Sequence, residues 1–245
     1  MKYSKLLFLP FLALLACSKH DSTPALQNTK VTTTPVTAPS GLTTAAETDS
    51  HASFALADIE MANSLTAYTS MFAIPTTGAN KQSSPIVASN GRVSSSTVTY
   101  IWNDTQSGNS VGYQVTDEGT SYKWEYFIKL SGTTTWLKYL NAEETKDGSV
   151  GSLKIYDFLG DNPSLIEYEY SWTKVQNQFT FNWDDTYSSG ILTINLSTKA
   201  GNAKEFSGVG ANAVLEYKYE WGTDGHGSWT SYDSDGVTVI DSGTW

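Results

Sequence analysis

A chain of 245 residues with 39% hydrophobic residues is long enough for one sizeable core, and a formal charge of −10 argues against nucleic acid or anionic headgroups as partners. One cysteine and three histidines exclude a disulfide framework and leave little for the usual zinc sites or a Ser-His-Asp triad. Eight tryptophans and fourteen tyrosines turn attention instead to aromatic packing and aromatic recognition.

The chain opens with Lys2 and Lys5, then an apolar run from Leu6 to Leu15 broken only by Pro10, then Ala16 and Cys17. The run is too short to span a bilayer and predicts a secretory signal over residues 1–16. Leu14-Leu15-Ala16-Cys17 resembles the bacterial lipobox. That resemblance implies cleavage after Ala16, diacylation of the Cys17 thiol and acylation of the new N-terminus. Several acyl chains, at roughly 0.8 kcal/mol per buried methylene, hold a protein durably on a bilayer. The expected partner at this end is therefore the lipid bilayer, through acylated Cys17. Ser18-Lys19-His20-Asp21 resembles the starts of Bacteroidota-type lipoproteins, and Ser after the cysteine implies the outer membrane. The choice between its periplasmic and surface leaflets stays open. Loss of residues 1–16 removes Lys2 and Lys5 and no acid, so −10 becomes −12.

Residues 22–50 contain twelve Ser or Thr, three Pro and no aromatic residue, so little in them can offset ordering entropy. Residues 17–50 are accordingly expected to be a lipidated cysteine followed by a disordered tether, with a single β-rich domain over 51–245. A helix is predicted over 52–72, capped by Asp49 or Ser50 and ended before Pro75. Phe54, Met61, Leu65, Tyr68 and Phe72 would form its apolar face.

From about Pro85 the period becomes two. Tyr122-Lys-Trp124-Glu-Tyr126, Tyr168-Glu-Tyr170-Ser-Trp172, Phe179-Thr-Phe181-Asn-Trp183 and Leu215-Glu-Tyr217-Lys-Tyr219-Glu-Trp221 alternate aromatic with polar residues. Turn signals such as Asp147-Gly148, Asp224-Gly225 and Asp235-Gly236 lie between such runs. The pattern predicts a mainly β protein: an antiparallel meander of about a dozen strands, strongly curved or closed into a barrel, with the one amphipathic helix packed on it. A weak repeat starts at Gly151, Gly190 and Gly227, with strands ending in Trp172, Trp221 and Trp245. Trp172 and Trp221 continue the aromatic face of their strands and are expected to be buried.

The chemistry is sparse. Trp102 and Trp136 near strand ends, and Trp229 after a Gly-rich turn, are the candidate ligand-binding aromatics. Asp233 and Asp235 make a weak calcium candidate, since Ser stands at 231 and 242 where a calcium loop places acids. Glu125, Glu167, Glu169, Glu216 and Glu220 could supply a carboxylate pair but alternate out of phase with the aromatics, as solvent-facing residues do. No catalytic residue, metal or cofactor is assigned. The reading is a membrane-anchored exported lipoprotein with a non-enzymatic binding or structural role, its ligand a glycan or a protein. The alternative is a carrier of a hydrophobic ligand in a cavity between curved sheet and helical lid, and a paired-carboxylate glycoside hydrolase ranks third. Empty space under the helix would favour the carrier, and a filled core with exposed aromatics the binder.

Overall fold

The computed structural model describes residues 26–32, 34–70, 72, 78–86 and 96–245. Cys17, the expected signal over 1–16 and Pro75 lie outside the described residues. After a single 3-10 turn (Leu26–Asn28), the described chain forms two α-helices, α1 (Ser40–Ala45) and α2 (Ser50–Ser70). Thirteen strands follow: β1 (Asn80–Gln82), β2 (Thr97–Asn103), β3 (Ser110–Asp117), β4 (Ser121–Lys129), β5 (Leu137–Thr145), β6 (Val150–Tyr156), β7 (Ile166–Val175), β8 (Gln178–Asp184), β9 (Ser188–Asn195), β10 (Gly201–Ser207), β11 (Val214–Trp221), β12 (Gly227–Tyr232) and β13 (Val239–Thr244). They form one antiparallel sheet in chain order, the expected meander. β1 and β13 are its two edges and do not pair, so the sheet is open and not a barrel.

The period-two pattern puts the aromatics on one face, which we call inner. Val115, Trp124, Ala142, Leu153 and Tyr170 lie opposite one another across β3 to β7, and Trp172, Phe181, Leu192, Ala203 and Tyr219 across β7 to β11. All ten are buried. Trp172 and Trp221 are 3% and 5% exposed, so both are core residues. The outer face is polar, with cross-strand or same-strand pairs such as Lys154–Glu169 and Lys218–Glu220. Glu125 departs from the expectation of a wet glutamate. It is 4% exposed, and its Oε1 takes Lys138 Nζ at 2.7 Å and Lys123 Nζ at 3.0 Å. Gln114 Nε2 donates to its Oε2 at 3.3 Å, while Gln114 Oε1 accepts the Ile86 N–H at 3.0 Å.

Glycines on the inner face lie under tryptophans. A Cβ at Gly151, Gly190, Gly201 or Gly227 would fall 2.1 to 2.7 Å from an indole atom of Trp172, Trp183, Trp221 or Trp245 respectively. The weak repeat in sequence is therefore a recurring cross-strand device, a bare glycine roofed by a neighbouring indole. Its pairing is partly different from the expected order, since Gly190 takes Trp183 and Trp221 covers Gly201.

The helix is capped by Asp49, whose Oδ1 accepts the N–H groups of His51 and Ala52 at 2.8 and 3.0 Å. Its buried face is the expected one only in part. Leu65 and, just past the helix, Phe72 are buried, and Met61 and Tyr68 pack half-buried against the core, but Phe54 is 52% exposed, and Ala52, Ala55, Asp58, Ile59 and Ala62 turn inward. Alanines let the backbone approach the sheet closely, and a phenylalanine at the same place would hold it away.

The disordered tether expected over 17–50 is corrected for residues 26–32 and 34–49. Val31, Val36 and Leu42 are buried with the sheet's core. The Thr29 carbonyl accepts the Trp124 indole N–H at 3.4 Å, and Thr32 N–H donates to Glu144 Oε2 at 2.8 Å. Asn63 of α2 clamps both polar groups of the Val36 backbone, at 2.9 and 2.8 Å. Gly41 and Gly225 pack backbone to backbone, which a side chain at either would prevent. A segment poor in large side chains still orders here because others supply the apolar surface and the hydrogen bonds.

Candidate binding groove

The inner face runs on past the start of α2 toward the β13 edge. There His51, the second residue of the helix, stacks on Trp229 of β12 with ring centroids 3.6 Å apart and planes within 6°. The Trp229 indole also lies across Gly243 of β13, where a Cβ would fall 2.7 Å from Nε1. Of the three tryptophans singled out in the sequence, Trp229 alone stands at this meeting of helix and sheet. It is a wall held between them, and its ring is not a free platform for a sugar.

Beside this stack opens a groove of about 450 Å³, lined by His51, Tyr217, Trp229 and Tyr232, with Ile240 and Ser231, and carrying the carboxylates of Glu216 and Asp241. No lysine or arginine lines it. Tyr217 is half-buried and parallel to Tyr219, whose ring centroid is 6.0 Å away. Asp241 Oδ1 accepts the N–H of Ser242 at 2.8 Å, which orders its carboxylate at the groove's rim. The groove can stack on a flat apolar face, accept hydrogen bonds from hydroxyls and attract cations. His51, Tyr217 and Tyr232 had no distinguishing signal in the sequence. Their role depends on a helix start and three strands meeting.

The other expected positions lie elsewhere. Trp102 of β2 is on the inner face at the opposite end of the sheet, edge-on to Tyr126 at 6.0 Å. Trp136, before β5, packs beside Gly112, with Lys129 Nζ 5.0 Å above its ring. The three tryptophans thus form no common platform. Asp233 and Asp235 lie in the β12–β13 turn and are occupied by that turn. Asp235 accepts the backbone N–H groups of Val237 and Thr238 at 2.8 Å and the Thr238 hydroxyl at 2.6 Å, and these bonds, the hydroxyl's foremost, hold its carboxyl below the usual range. Asp233 Oδ1 takes the Ser234 N–H. Among the described residues no three His, Cys, Asp or Glu side chains gather as metal ligands would.

Two further depressions offer less. One of about 690 Å³ surrounds Trp221 and Trp245, whose indole N–H groups are spent on the carbonyls of Lys199 and Gly225. The other, about 520 Å³ on the outer face, holds Asn182, Asp184 and Phe206. Asp184 stands opposite Glu169, and burial first, then Glu169 and Asp185, push its carboxyl up. Glu169 itself is engaged by Lys154 at 2.9 Å.

Beneath α2 the space is filled by its own alanines, Ile59 and Leu65 against buried sheet residues, with one polar exception. Asp58 is 4% exposed, and its Oδ2 has no hydrogen-bond donor. Glu205 of β10 acts on it electrostatically, and Tyr219 Oη donates to Glu205 Oε2 at 3.5 Å. The Trp183 indole N–H lies beside Asp58 and favours its charge without completing a hydrogen bond. Burial, followed by the repulsion of Glu205, pushes the Asp58 carboxyl up to about 8. Comparison with known protein families finds none that matches the chain, and comparison with curated proteins finds no matching relative.

Proposed function

We propose that the protein is an exported lipoprotein, held on the outer membrane through acylated Cys17, that binds a glycan or protein ligand without catalysis in the groove beside His51 and Trp229. The observation that carries this reading is the groove's construction. A helix start and three consecutive strands far from it in sequence meet there and place Tyr217, Tyr232, Glu216 and Asp241 around an open space of about 450 Å³. Aromatic faces with carboxylates suit sugar rings, whose C–H faces stack and whose hydroxyls donate. They also suit the basic or aromatic side chains of a protein.

The carrier reading needs room between helix and sheet, and the inward residues of α2 from Ala52 to Leu65 are each at most 4% exposed against a packed core. The hydrolase reading has the Glu169–Asp184 pair, but a lysine neutralises one member. The anchor rests on the lipobox. No helix among the described residues is long and apolar enough to cross a membrane.

Two experiments test this. Cys17→Ser is expected to move the protein out of the membrane fraction or leave an unprocessed precursor, and a matured, membrane-bound Cys17→Ser protein would overturn the anchor. Panels of glycans and of basic and aromatic peptides should yield a ligand whose affinity falls about tenfold or more in Tyr217→Ala or Tyr232→Ala, with the fold intact. Binding that survives both changes and is lost on altering Asn182 or Phe206 would move the site to the outer face.

A further inference from the structure

The face that α2 presents to the sheet is unusual in what holds it. Ala52, Ala55 and Ala62 bring little apolar area, Ile59 and Leu65 bring most of it, and in their midst sits a carboxyl that is 4% exposed. Glu205 from β10 and Tyr219 from β11 are the titratable groups that act on Asp58; β8 brings only the Trp183 indole to it, β9, α1 and residues 34–39 carry no titratable side chain, and β7 and β12 meet the helix elsewhere, through Tyr170 at Tyr68 and Trp229 at His51. No cation acts on it. A buried carboxylate without a cation, with one oxygen lacking a donor and a second acid across from it, is the costliest form this group can take. Seven residues earlier on the same helix, His51 forms part of the groove wall through its stack on Trp229.

We propose that Asp58 is a proton-operated latch for α2: the helix docks on the sheet with its carboxyl neutral, loosens when the proton is lost, and so sets whether His51 closes the groove. The latch stands on the packing alone, whereas its use as a gate rests on the groove being the binding site.

The sign follows from proton counting. Docked, Asp58 keeps its proton up to about 8, and undocked in water it gives it up near the ordinary carboxylate value of about 4. Below that range both states are protonated and docking is pH-independent. Within it undocking releases one proton, so each pH unit favours the loosened helix by about tenfold. Above about 8 the docked form ionises too and the dependence flattens. Acid therefore tightens the latch. Glu205, whose carboxyl burial also raises, adds to the effect with the same sign.

Hydrogen exchange on the full-length protein between pH 5.5 and 8, corrected for the intrinsic pH dependence of exchange, reads the latch directly. Protection of the amides of residues 52–65 is expected to fall by about tenfold or more as the pH rises, with the amides of β4, β7 and β9 changing far less. In Asp58→Asn the fall is expected to shrink to the smaller part that Glu205 contributes. A wild-type profile without a fall, or the same fall in Asp58→Asn, would overturn the latch. Should Asp58→Asn not fold, Glu205→Gln serves. Removing the facing acid should make the loss of protection smaller and flatten it at lower pH, and an unchanged profile would overturn the proposal. The gate is read without a ligand, by diethyl pyrocarbonate modification of His51 relative to the exposed His226 over the same range. A ratio that rises as α2 loses protection supports it. A constant ratio removes the gate while leaving the latch, and failure of every glycan and peptide to bind would count against the groove alone.

Discussion

The indole of Trp172 lies across Gly151 on the neighbouring strand, so close that a Cβ at position 151 would fall 2.2 Å from Cζ2. The glycine is needed for space, since it is buried and in a strand that any residue's backbone could follow. Gly151→Ala is expected to push the indole off the sheet and cost about 1–3 kcal/mol by overpacking. Urea unfolding measures this, and a midpoint equal to wild type would show that the roof has slack.

Trp221 covers Gly201 and spends its indole N–H on the Lys199 carbonyl at 2.9 Å. Trp221→Ala is expected to cost about 3–5 kcal/mol and to lower the melting temperature by many degrees. Unchanged stability with lost ligand binding would make the aromatic face a functional surface.

Leu42 is fully buried although it lies in a stretch that reads as linker. Leu42→Ala is expected to cost about 2–5 kcal/mol, as a core leucine does. Deleting residues 26–49 should destabilise the domain further, because Val31, Val36 and the Asn63 clamp go with it. Limited proteolysis yielding a stable fragment that starts at residue 50 would contradict this.

Gly225 has φ +89°, and a Cβ there would meet Leu42 N at 2.1 Å. Gly225→Ala is therefore expected to combine backbone strain with loss of the α1 contact. Thermal denaturation should show a clear drop, larger than for Gly119→Ala, where φ is also positive but nothing lies within 4 Å.

Glu144 gives a second pH-dependent term. It is 3% exposed, Oε2 accepts the Thr32 N–H, and Oε1 has no donor, so burial raises its carboxyl above the ordinary value despite the bonds from Thr32 and the nearby Trp172 indole. A raised folded-state value means that stability is highest at low pH and is lost as the pH climbs from the ordinary glutamate range through the folded one. Glu144→Gln keeps an acceptor for Thr32 and abolishes this loss. The variant should gain on wild type in melting temperature at pH 8 and show no such gain at pH 4.

How much was legible in the chain depends on where each signal resides. Tyr168, Tyr170 and Trp172 announce their shared face because alternation is a property of one strand. Phe54 misleads because a helical face can be counted from spacing, but which of two competing faces meets the sheet depends on how near the helix must come. Alanines permit the nearer approach, and Phe54 is left outside. Glu125 misleads for the same reason, since its cover comes from Lys123, Lys138 and Gln114 on three strands. Residues 26–49 look disordered by composition because their few apolar side chains are too sparse to form a core of their own. Residues 26–32 and 34–49 are ordered because Val31, Val36 and Leu42 join the sheet's core and Trp124, Glu144 and Asn63 supply hydrogen bonds.

The sequence by itself determined the class of fold: antiparallel strands in a meander, one long helix, buried Trp172 and Trp221, and turns at Asp-Gly pairs. These are settled by local periodicity and local backbone preference, which a single segment carries. Only the tertiary structure decided that the sheet stays open, that α1 locks against Gly225, that His51 stacks on Trp229 and that Asp58 is sealed opposite Glu205. Each of these depends on whether residues far apart along the chain come together, as β1 and β13 do not and His51 and Trp229 do. The free energy of such contacts comes from burial and desolvation in a space that no one segment encloses.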